Sequence, residues 1–267
     1  MLWTPADTTT ALWLDGADGS TVSLSGSAVT QWNDKSGNSR HVSQSTAASR
    51  PAYLAGGFNG LNCLDFDGGD FLSRVSGITT GTYTGAFNVY YVATRDSAVN
   101  GCLITERSTA LVGTSQWGSD VGLYFISSDG ANAASNHRIG LADFNNLSTS
   151  GGIVSHFHSA GLRDQLWLNG SSISVIAGTA SNISGSAGLR IGTREFGGFS
   201  WDGKVCEIIV TTSAQSVALR QQFEGYLAWR WGLQSSLSAG HPWRDTFIGS
   251  SSVNIFAAAH SAVRGAV

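Results

Sequence analysis

Charged residues, and lysine above all, are scarce in this chain. Only 12% of its 267 residues are Asp, Glu, Lys or Arg, and lysine occurs only at Lys35 and Lys204. The formal net charge is −3. Proteins that bind DNA or RNA need clustered basic side chains to neutralise phosphates. The composition therefore argues against a nucleic-acid partner.

Long hydrophobic runs are also missing from the sequence. No uninterrupted apolar run approaches the roughly 18 residues that mark a membrane-spanning helix. The segment from Met1 to Pro5 lacks the basic region and the apolar core of a secretory signal. We therefore expect no secretory signal, no membrane span and no membrane as a partner.

Cysteine is rare. Cys63, Cys102 and Cys206 are odd in number and lie in apolar stretches, unlike the paired cysteines of a disulfide framework. We expect reduced, buried thiols, in keeping with folding in a cytoplasm. A chain of this length buries roughly 70–75% of its extended surface, so it needs neither disulfides nor a metal to fold.

Glycine, serine and threonine are abundant instead, with 34 glycines. This composition is typical of short strands joined by many turns, and an all-β sandwich of this length often forms one unit. The segment 87–94 alternates with a period of two, which predicts a strand with Val89 and Tyr91 on one face and Tyr90 on the other. Asn169-Gly170 predicts a two-residue hairpin turn.

The stretch 188–210 contains two more strand patterns. In GLRIG, Leu189 and Ile191 alternate with small or polar residues. In KVCEIIV, the same alternation predicts one face made of Val205, Glu207 and Ile209 and an opposite face made of Cys206, Ile208 and Val210. By contrast, the segment 40–60 is polar and small, which predicts a long surface connection.

Beyond residue 212 the period changes to that of a helix. One apolar stripe recurs at steps of three and four: Leu219, Phe223, Tyr226, Leu227 and Trp231. We predict an amphipathic helix with Arg220 and Glu224 largely off this stripe. Ser213 and Ser216 are the two candidate N-caps, and Gly232 stands where a C′ glycine belongs.

Several of these segments, taken in order, carry a family resemblance. They are LWTPADTTTALWLDGAD, VTQWNDKSGNSRHVSQSTAASRPAY, NGLNCLDFDGGDFL, GLRIG, WDG, EIIV and EGYLAWRWGL. They resemble a concanavalin A-like, laminin-G-like jelly-roll domain of the kind found in bacteriophage virion proteins of the capsid decoration, fibre or tail. The resemblance covers roughly residues 2–243 and is weaker over 96–150.

The resemblance implies an all-β fold, an antiparallel β-sandwich of jelly-roll topology with one C-terminal amphipathic helix. It places a single domain at residues 1–243 and leaves an apolar C-terminal tail at 244–267. A disordered tail should be polar, so we expect this one to pack. Two alternatives are its own sheet edge and strand addition to a neighbouring subunit.

The function that the resemblance implies is non-enzymatic. A phage virion structural protein, assembled in the host cytoplasm, would display a lectin-like domain for adhesion to host-surface glycans. Its partners would be host-surface polysaccharide, further copies of itself in a homo-oligomer, and other virion proteins through residues 247–267. The alternatives are a purely structural capsid or tail cement protein and a glycan-cleaving hydrolase.

The glutamates bear on the hydrolase alternative. Retaining glycosidases need two carboxyl groups about 5 Å apart, supplied in jelly rolls by an E-x-D-x-x-E strand. That spacing does not occur, and the four glutamates Glu106, Glu195, Glu207 and Glu224 are scattered. We therefore predict no catalytic residues, and expect Glu207 to satisfy a turn or to cap a neighbouring strand.

Three tryptophans lie in segments that read as loops rich in glycine or polar residues: Trp117, Trp201 and Trp243. Asp120 and Asp202 stand near two of them. A flat aromatic face beside hydrogen-bonding side chains is what a sugar ring needs, so we predict these five residues as glycan-binding. The alternative is that the rings plug the ends of the sandwich.

Three aspartates suggest a metal site. Asp65 and Asp67 share one face of a predicted strand, and Asp70 follows after two glycines. Carboxylate oxygens are ligands for calcium, and laminin-G-like domains often bind calcium at a sandwich rim, so calcium is the one cofactor considered. The alternative is turn chemistry, with aspartate side chains bonding nearby backbone. We predict no other cofactor.

Overall fold

The structure, a computed structural model, describes residues 3–78, 82–83, 86–96, 101–107, 111–112, 114–118, 122–126, 136–138, 150–159, 165–173, 183–184, 188–193 and 200–247. Its strands are β1 Leu12–Asp15, β2 Val22–Ser25, β3 Ala28–Trp32, β4 Val42–Ser43, β5 Ala52–Phe58, β6 Leu61–Asp67, β7 Leu72–Arg74, β8 Thr82–Tyr83, β9 Ala86–Ala93, β10 Gly101–Cys102, β11 Ile104–Arg107, β12 Leu111–Val112, β13 Thr114–Gly118, β14 Gly122–Ile126, β15 Asn136–Arg138, β16 Gly152–Ser159, β17 Gln165–Leu168, β18 Ser171–Ile173, β19 Ile183–Ser184, β20 Gly188–Ile191 and β21 Asp202–Thr211. The helix α1 is Val217–Trp231.

The strands form one large sheet and two small ones. The large sheet has the hydrogen-bonded order β12-β11-β20-β7-β4-β3-β5-β6-β21-β9-β16-β17-β18, with β1 also paired to β21 and β2 to β3. The small sheets are β10-β13-β14-β15 and β19-β8. Every pairing between described strands is antiparallel.

Two hydrophobic cores hold the layers together. The first, here called the sandwich core, takes residues from distant parts of the strand order, including Trp32, Leu72, Tyr91, Leu189 and Val210. The second, the helix–sheet core, lies under α1 and includes Trp13, Cys63, Tyr90, Phe223 and Trp231. The predicted antiparallel β-sandwich with one C-terminal helix is therefore confirmed.

Strand β9 shows how alternation divides residues between the two cores. Val89 and Tyr91 enter the sandwich core, whereas Tyr90 and Val92 enter the helix–sheet core. Both faces are buried, and the strict period of two survives because β9 pairs without a register shift with β16. The predicted faces of this strand are confirmed.

Strand β21 departs from the predicted alternation. Its pairing with β9 shifts register between Val205 and Glu207, which marks a β-bulge. As a result Cys206 and Glu207 both lie on the helix side, and Ile208 returns to the sandwich core. The prediction that Glu207 and Cys206 occupy opposite faces was wrong, because the bulge inserts one residue that simple alternation cannot anticipate.

The segment 40–60 is not a plain surface connection, as its composition had predicted. It contains β4 and β5, and β5 lies between β3 and β6 in the sheet. Alternation is hidden here because a register shift between Leu54 and Phe58 interrupts the pairing with β6. Backbone pairing to neighbouring strands, rather than a pattern of apolar side chains, makes this segment a strand.

The predicted hairpin turn is confirmed. Asn169 and Gly170 both have positive φ, 51° and 77°, as a type I′ turn between β17 and β18 requires. The Asn169 side chain accepts a hydrogen bond from the Ile153 backbone N–H at 2.9 Å. This contact ties the turn to the neighbouring strand β16.

Helix α1 begins and ends where the sequence predicted. The Ser216 hydroxyl accepts a hydrogen bond from the Leu219 backbone N–H at 3.1 Å, and Gly232 adopts a left-handed conformation after the last turn. Phe223 and Leu227 of the predicted stripe are fully buried. Arg220 and Glu224 are buried too, contrary to the prediction. In the part of the chain that the structure describes, no helix is both long and apolar enough to cross a membrane.

Removing the N-cap should weaken this helix measurably. Ser216→Ala deletes the acceptor for the Leu219 N–H and is expected to lower the free energy of unfolding by about 1 kcal/mol. Ser213→Ala is the matched control, because Ser213 was the other candidate cap and is exposed outside the helix. Chemical denaturation of both variants would measure the difference, and equal stabilities would contradict the assignment of Ser216.

Candidate functional site

Two of the three predicted metal residues and one predicted glycan residue meet on the outer face of the sheet. Asp67 of β6 lies directly opposite Asp202 of β21, and Asp65 lies opposite Lys204. These side chains point away from the sandwich core because Leu64 and Phe66, which alternate with them, point into it. We call Asp65, Asp67, Asp202 and Lys204 the acidic strand patch.

Charge accumulates in this patch. Partial burial raises the pKa of Asp65, Lys204 lowers it, and the neighbouring carboxylates Asp96, Asp202 and Asp67 raise it further. Asp96 lies next to the acidic strand patch, because its backbone N–H donates a hydrogen bond to the Asp202 carbonyl at 3.0 Å. The patch therefore presents hydrogen-bond acceptors with one cation among them.

The Asp70 side chain forms a hydrogen bond within its own turn. Its carboxylate accepts a hydrogen bond from the Asp67 backbone N–H at 3.2 Å, and Asp67 Oδ1 accepts one from the Gly69 N–H at 2.8 Å. Burial raises the pKa of Asp70 to about 6. Within the described ranges, no three acidic, histidine or cysteine side chains converge as a metal site requires. Turn chemistry accounts for Asp67 and Asp70, and the calcium prediction gains no support.

Trp201 does not form a sugar platform. Its side chain is 1% exposed and belongs to the sandwich core. Its backbone N–H donates to the Gly192 carbonyl at 2.7 Å, and its own carbonyl accepts from Gly68 at 3.0 Å. These bonds close the chain over the end of the sandwich, so Trp201 is the plug that the alternative interpretation expected, and its predicted role in glycan binding was wrong.

Trp117 lies in a strand rather than in the predicted loop. It belongs to β13, opposite Gly101 of β10 and Leu123 of β14 in the four-stranded sheet. Its neighbour in the prediction, Asp120, falls outside the described residues. The predicted glycan contacts of Trp117 and Asp120 stay predictions.

Trp243 is half-buried and partly accessible at the end of the described chain. Its backbone N–H donates to His241 Nδ1 at 3.3 Å, and its carbonyl accepts from the indole N–H of Trp229 at 2.8 Å. Phe247 packs edge-on against Trp229 at 5.3 Å between ring centroids. We call Trp229, Trp243 and Phe247 the C-terminal aromatic cluster. Of the three predicted sugar-stacking tryptophans, Trp243 is the one whose described side chain has an accessible surface.

Comparisons with known proteins identify a fold. No family model matches the chain, and no curated protein matches its sequence. Among solved structures, the binding domain of Paraclostridial Mosquitocidal Protein 1 superposes with a TM-score of 0.59 at 10% identity, covering 84% of this chain and 53% of that one. Domain 4 of AbnA, an extracellular arabinanase from Geobacillus stearothermophilus in complex with arabinotriose, gives 0.57 at 8% identity, covering 81% and 98%.

A third structure agrees. The ligand binding domain of botulinum neurotoxin serotype D, in complex with N-acetylneuraminic acid, gives a TM-score of 0.54 at 11% identity, covering 82% of this chain and 51% of that one. This chain shares their β-sandwich fold. It spans about half the length of the two toxin domains and nearly the whole of the arabinanase domain. Identities this low establish the fold alone.

Glu207 lies on the helix side of the sheet, beneath α1. It is fully buried and accepts hydrogen bonds from the indole N–H groups of Trp13 and Trp231, each at 2.7 Å, and from the Tyr226 hydroxyl at 3.0 Å. The prediction that it satisfies a turn or caps a strand was wrong, because Glu207 lies within β21 on the face that α1 covers. Burial and the adjacent Asp15 carboxylate raise its pKa to about 8, against the hydrogen bonds from Trp231 and Trp13.

A second buried carboxylate, Glu224, belongs to helix α1 itself. Glu224 is fully buried; it pairs with Arg220 at 2.6 Å and accepts hydrogen bonds from the Ser155 hydroxyl at 2.9 Å and from His241 Nε2 at 3.0 Å. His241 Nδ1 accepts from a backbone N–H, so the proton lies on Nε2 in this arrangement. The Arg220 guanidinium also lies 4.3 Å from the Trp167 ring centre.

The burial of Glu207 and Glu224 bears on whether either carboxyl group could hydrolyse a glycosidic bond. A hydrolytic carboxyl must reach the glycosidic oxygen, and neither Glu207 nor Glu224 has any exposed surface. Their partners anchor α1 to β16 and β21, which gives both glutamates a structural role. The sequence did contain one signal, the i,i+4 spacing of Arg220 and Glu224, but such a pair ordinarily lies at the surface.

Proposed function

We propose that this chain is a non-enzymatic carbohydrate-binding module of a phage virion, which attaches the particle to glycans on the host surface. One observation carries the proposal: the fold matches 98% of an arabinanase domain solved with arabinotriose. The sialic acid complex of a toxin domain of the same fold adds support. The virion context comes from the sequence resemblance.

Trp243 is the contact that this proposal favours. A partly accessible indole can stack on the CH face of a sugar ring, and the adjoining Arg244 and Asp245 can bond hydroxyl groups. Asp202, with the rest of the acidic strand patch, offers a separate set of acceptors for sugar hydroxyls. Glu207 is enclosed, which counts against the hydrolase alternative.

Adhesion would depend on copy number. A single shallow site binds sugars weakly, whereas many copies on one particle act together through a high effective concentration. Homo-oligomers and contacts with other virion proteins through residues 247–267 would supply that multivalency. Phe247, the first residue of this segment, already packs against α1 through Trp229. Assembly in the host cytoplasm belongs to the same proposal.

A glycan array tests the proposal. The purified protein, displayed in many copies on beads, is expected to bind a subset of neutral or acidic glycans, and Trp243→Ala should reduce the bound signal by about tenfold through loss of stacking. Trp243→Phe keeps a ring and should retain part of the signal. Leu24→Ala, at an exposed apolar side chain on β2, is the control for general surface effects.

The other outcomes discriminate between the alternatives. Binding to no glycan at any concentration would contradict the adhesive function and favour a structural cement protein. Binding that persists unchanged in Trp243→Ala would contradict the site. Loss of binding in EDTA would revive calcium at Asp65, Asp67 and Asp70, and release of cleaved sugars would support a hydrolase.

A further inference from the structure

Two of the three cysteines face each other beneath the helix. The antiparallel register of β6 and β21 includes the pair Leu64 and Val205, so the next residues along the two strands, Cys63 and Cys206, are neighbours. Both thiols are free and both residues have no exposed surface. Neighbouring strands of a sheet lie roughly 4.7–4.9 Å apart, which is within the range of Cα separations that a disulfide spans, and the two thiols are close enough to share a hydrogen bond.

Two glycines close tightly around this pair. A Cβ at Gly57 would lie 2.6 Å from Cys63 Sγ, and a Cβ at Gly16 would lie 2.7 Å from the Cys206 carbonyl oxygen and 3.4 Å from the Cys63 Cα. At Gly57 the backbone therefore approaches the Cys63 sulfur more closely than a residue with a side chain would permit. A glutathione adduct on Cys63 therefore has room only while this space is open, whereas a bond to Cys206 needs no additional volume and replaces the adduct when the space closes.

The two thiols differ in their chemistry. A hydrogen bond from Cys206 lowers the pKa of Cys63, and this effect is the largest on that group. Burial raises the pKa of Cys206 well above its ordinary value. Cys63 is thus the better nucleophile of the two, and Cys206 is the resolving thiol.

We propose that Cys63 and Cys206 form a reversible disulfide, which fastens β6 to β21 under α1 when the protein meets a small-molecule disulfide such as oxidised glutathione. The Cys63 thiolate attacks one sulfur of the oxidant, breaking its S–S bond and releasing one glutathione thiolate. Cys206 then loses its proton and attacks the Cys63 sulfur, which releases the second glutathione. The cysteines lose two electrons, the oxidant gains them, and the two thiol protons end on the two glutathiones.

The bridge would matter to a protein that folds under reducing conditions and acts outside a cell, the setting of the proposed function. It closes a long loop of chain and so restricts the unfolded state. The bond itself depends only on the cysteine geometry, and its test is independent of any glycan. A protein that binds no sugar could still form it.

Thiol counting tests the bond. The native full-length protein is incubated with oxidised glutathione, quenched with acid, unfolded and titrated for free thiols. From three cysteines, one free thiol is expected to remain, with a peptide joining Cys63 to Cys206. Cys102→Ser should fall from two free thiols to none. Cys63→Ser and Cys206→Ser should each keep two.

Several results would overturn the proposal. These are three free thiols after prolonged incubation of the folded protein, a stable glutathione adduct on Cys63 or Cys206, or a bridge from either of them to Cys102. Oxidised wild type should also unfold at a higher guanidinium concentration than the reduced protein, and dithiothreitol should reverse the shift. A bridge that forms without any shift in the unfolding midpoint would contradict its role as a fastener.

Discussion

Replacing Glu224 with alanine is expected to lower the free energy of unfolding by about 3–5 kcal/mol, among the largest effects of any single substitution in this chain. The carboxylate is fully buried and is the ion-pair partner of Arg220, itself only 6% exposed. Its removal leaves a guanidinium charge enclosed without a counter-ion and deprives Ser155 and His241 of a shared acceptor. Urea or guanidinium denaturation measures the loss.

A double variant separates the charge effect from the loss of volume. Arg220→Met combined with Glu224→Met removes both charges and fills the space, so it should be clearly more stable than Glu224→Ala. Glu224→Gln keeps the shape and removes the charge, and it should fall between wild type and the alanine variant. A loss below about 1 kcal/mol in Glu224→Ala would mean that this network contributes little to holding α1.

Stability should fall as the pH rises from about 4.5 to about 8, and Glu207 should be a main cause. Its pKa is raised from 4.5 to about 8 in the folded protein. Over that interval the Glu207 carboxyl has lost its proton in the unfolded chain and still holds it in the folded chain. The contribution of Glu207 to the free energy of unfolding is therefore fully present below about pH 4.5 and is lost as the pH rises through about 8. One proton gives a slope of about 1.4 kcal/mol per pH unit.

Glu207→Gln is the matched control for this pH dependence. The amide keeps the size of the side chain and cannot ionise, so the variant should show a flatter decline over the same interval. The charged groups around Asp15, namely Lys35 at 2.9 Å and Arg230 at 3.2 Å, are retained in both proteins. Parallel pH profiles of the unfolding free energy in wild type and Glu207→Gln would contradict the raised pKa.

The elements that sequence predicted correctly are those specified by neighbouring residues. The helix boundaries follow from Ser216 and Gly232, each of which acts on backbone within a few positions. The Asn169-Gly170 turn follows from two residues that tolerate positive φ. The faces of β9 follow from alternation in an uninterrupted strand. In each case the deciding interaction spans only a few positions along the chain.

The candidate site was less predictable. Asp65, Asp67 and Asp202 do meet, although they had been assigned to two different sites, because strand pairing between β6 and β21 joins distant segments. Trp201 and Trp243 were both placed in polar loops from composition. One turned out to close the sandwich core and the other to lie partly exposed beside Trp229. Composition cannot distinguish a loop that folds over an open end from one that faces solvent.

By itself, the sequence determined the structural class, the single C-terminal helix and the tight hairpin, because period, capping residues and turn residues act locally. Only the tertiary structure decided the burial of Glu207 and Glu224, the plug formed by Trp201 and the pairing of Cys63 with Cys206. Each of these depends on the register between strands or on packing under α1. A single bulge in β21 put Cys206 on the same face as Glu207, and local alternation of apolar residues does not predict such a bulge.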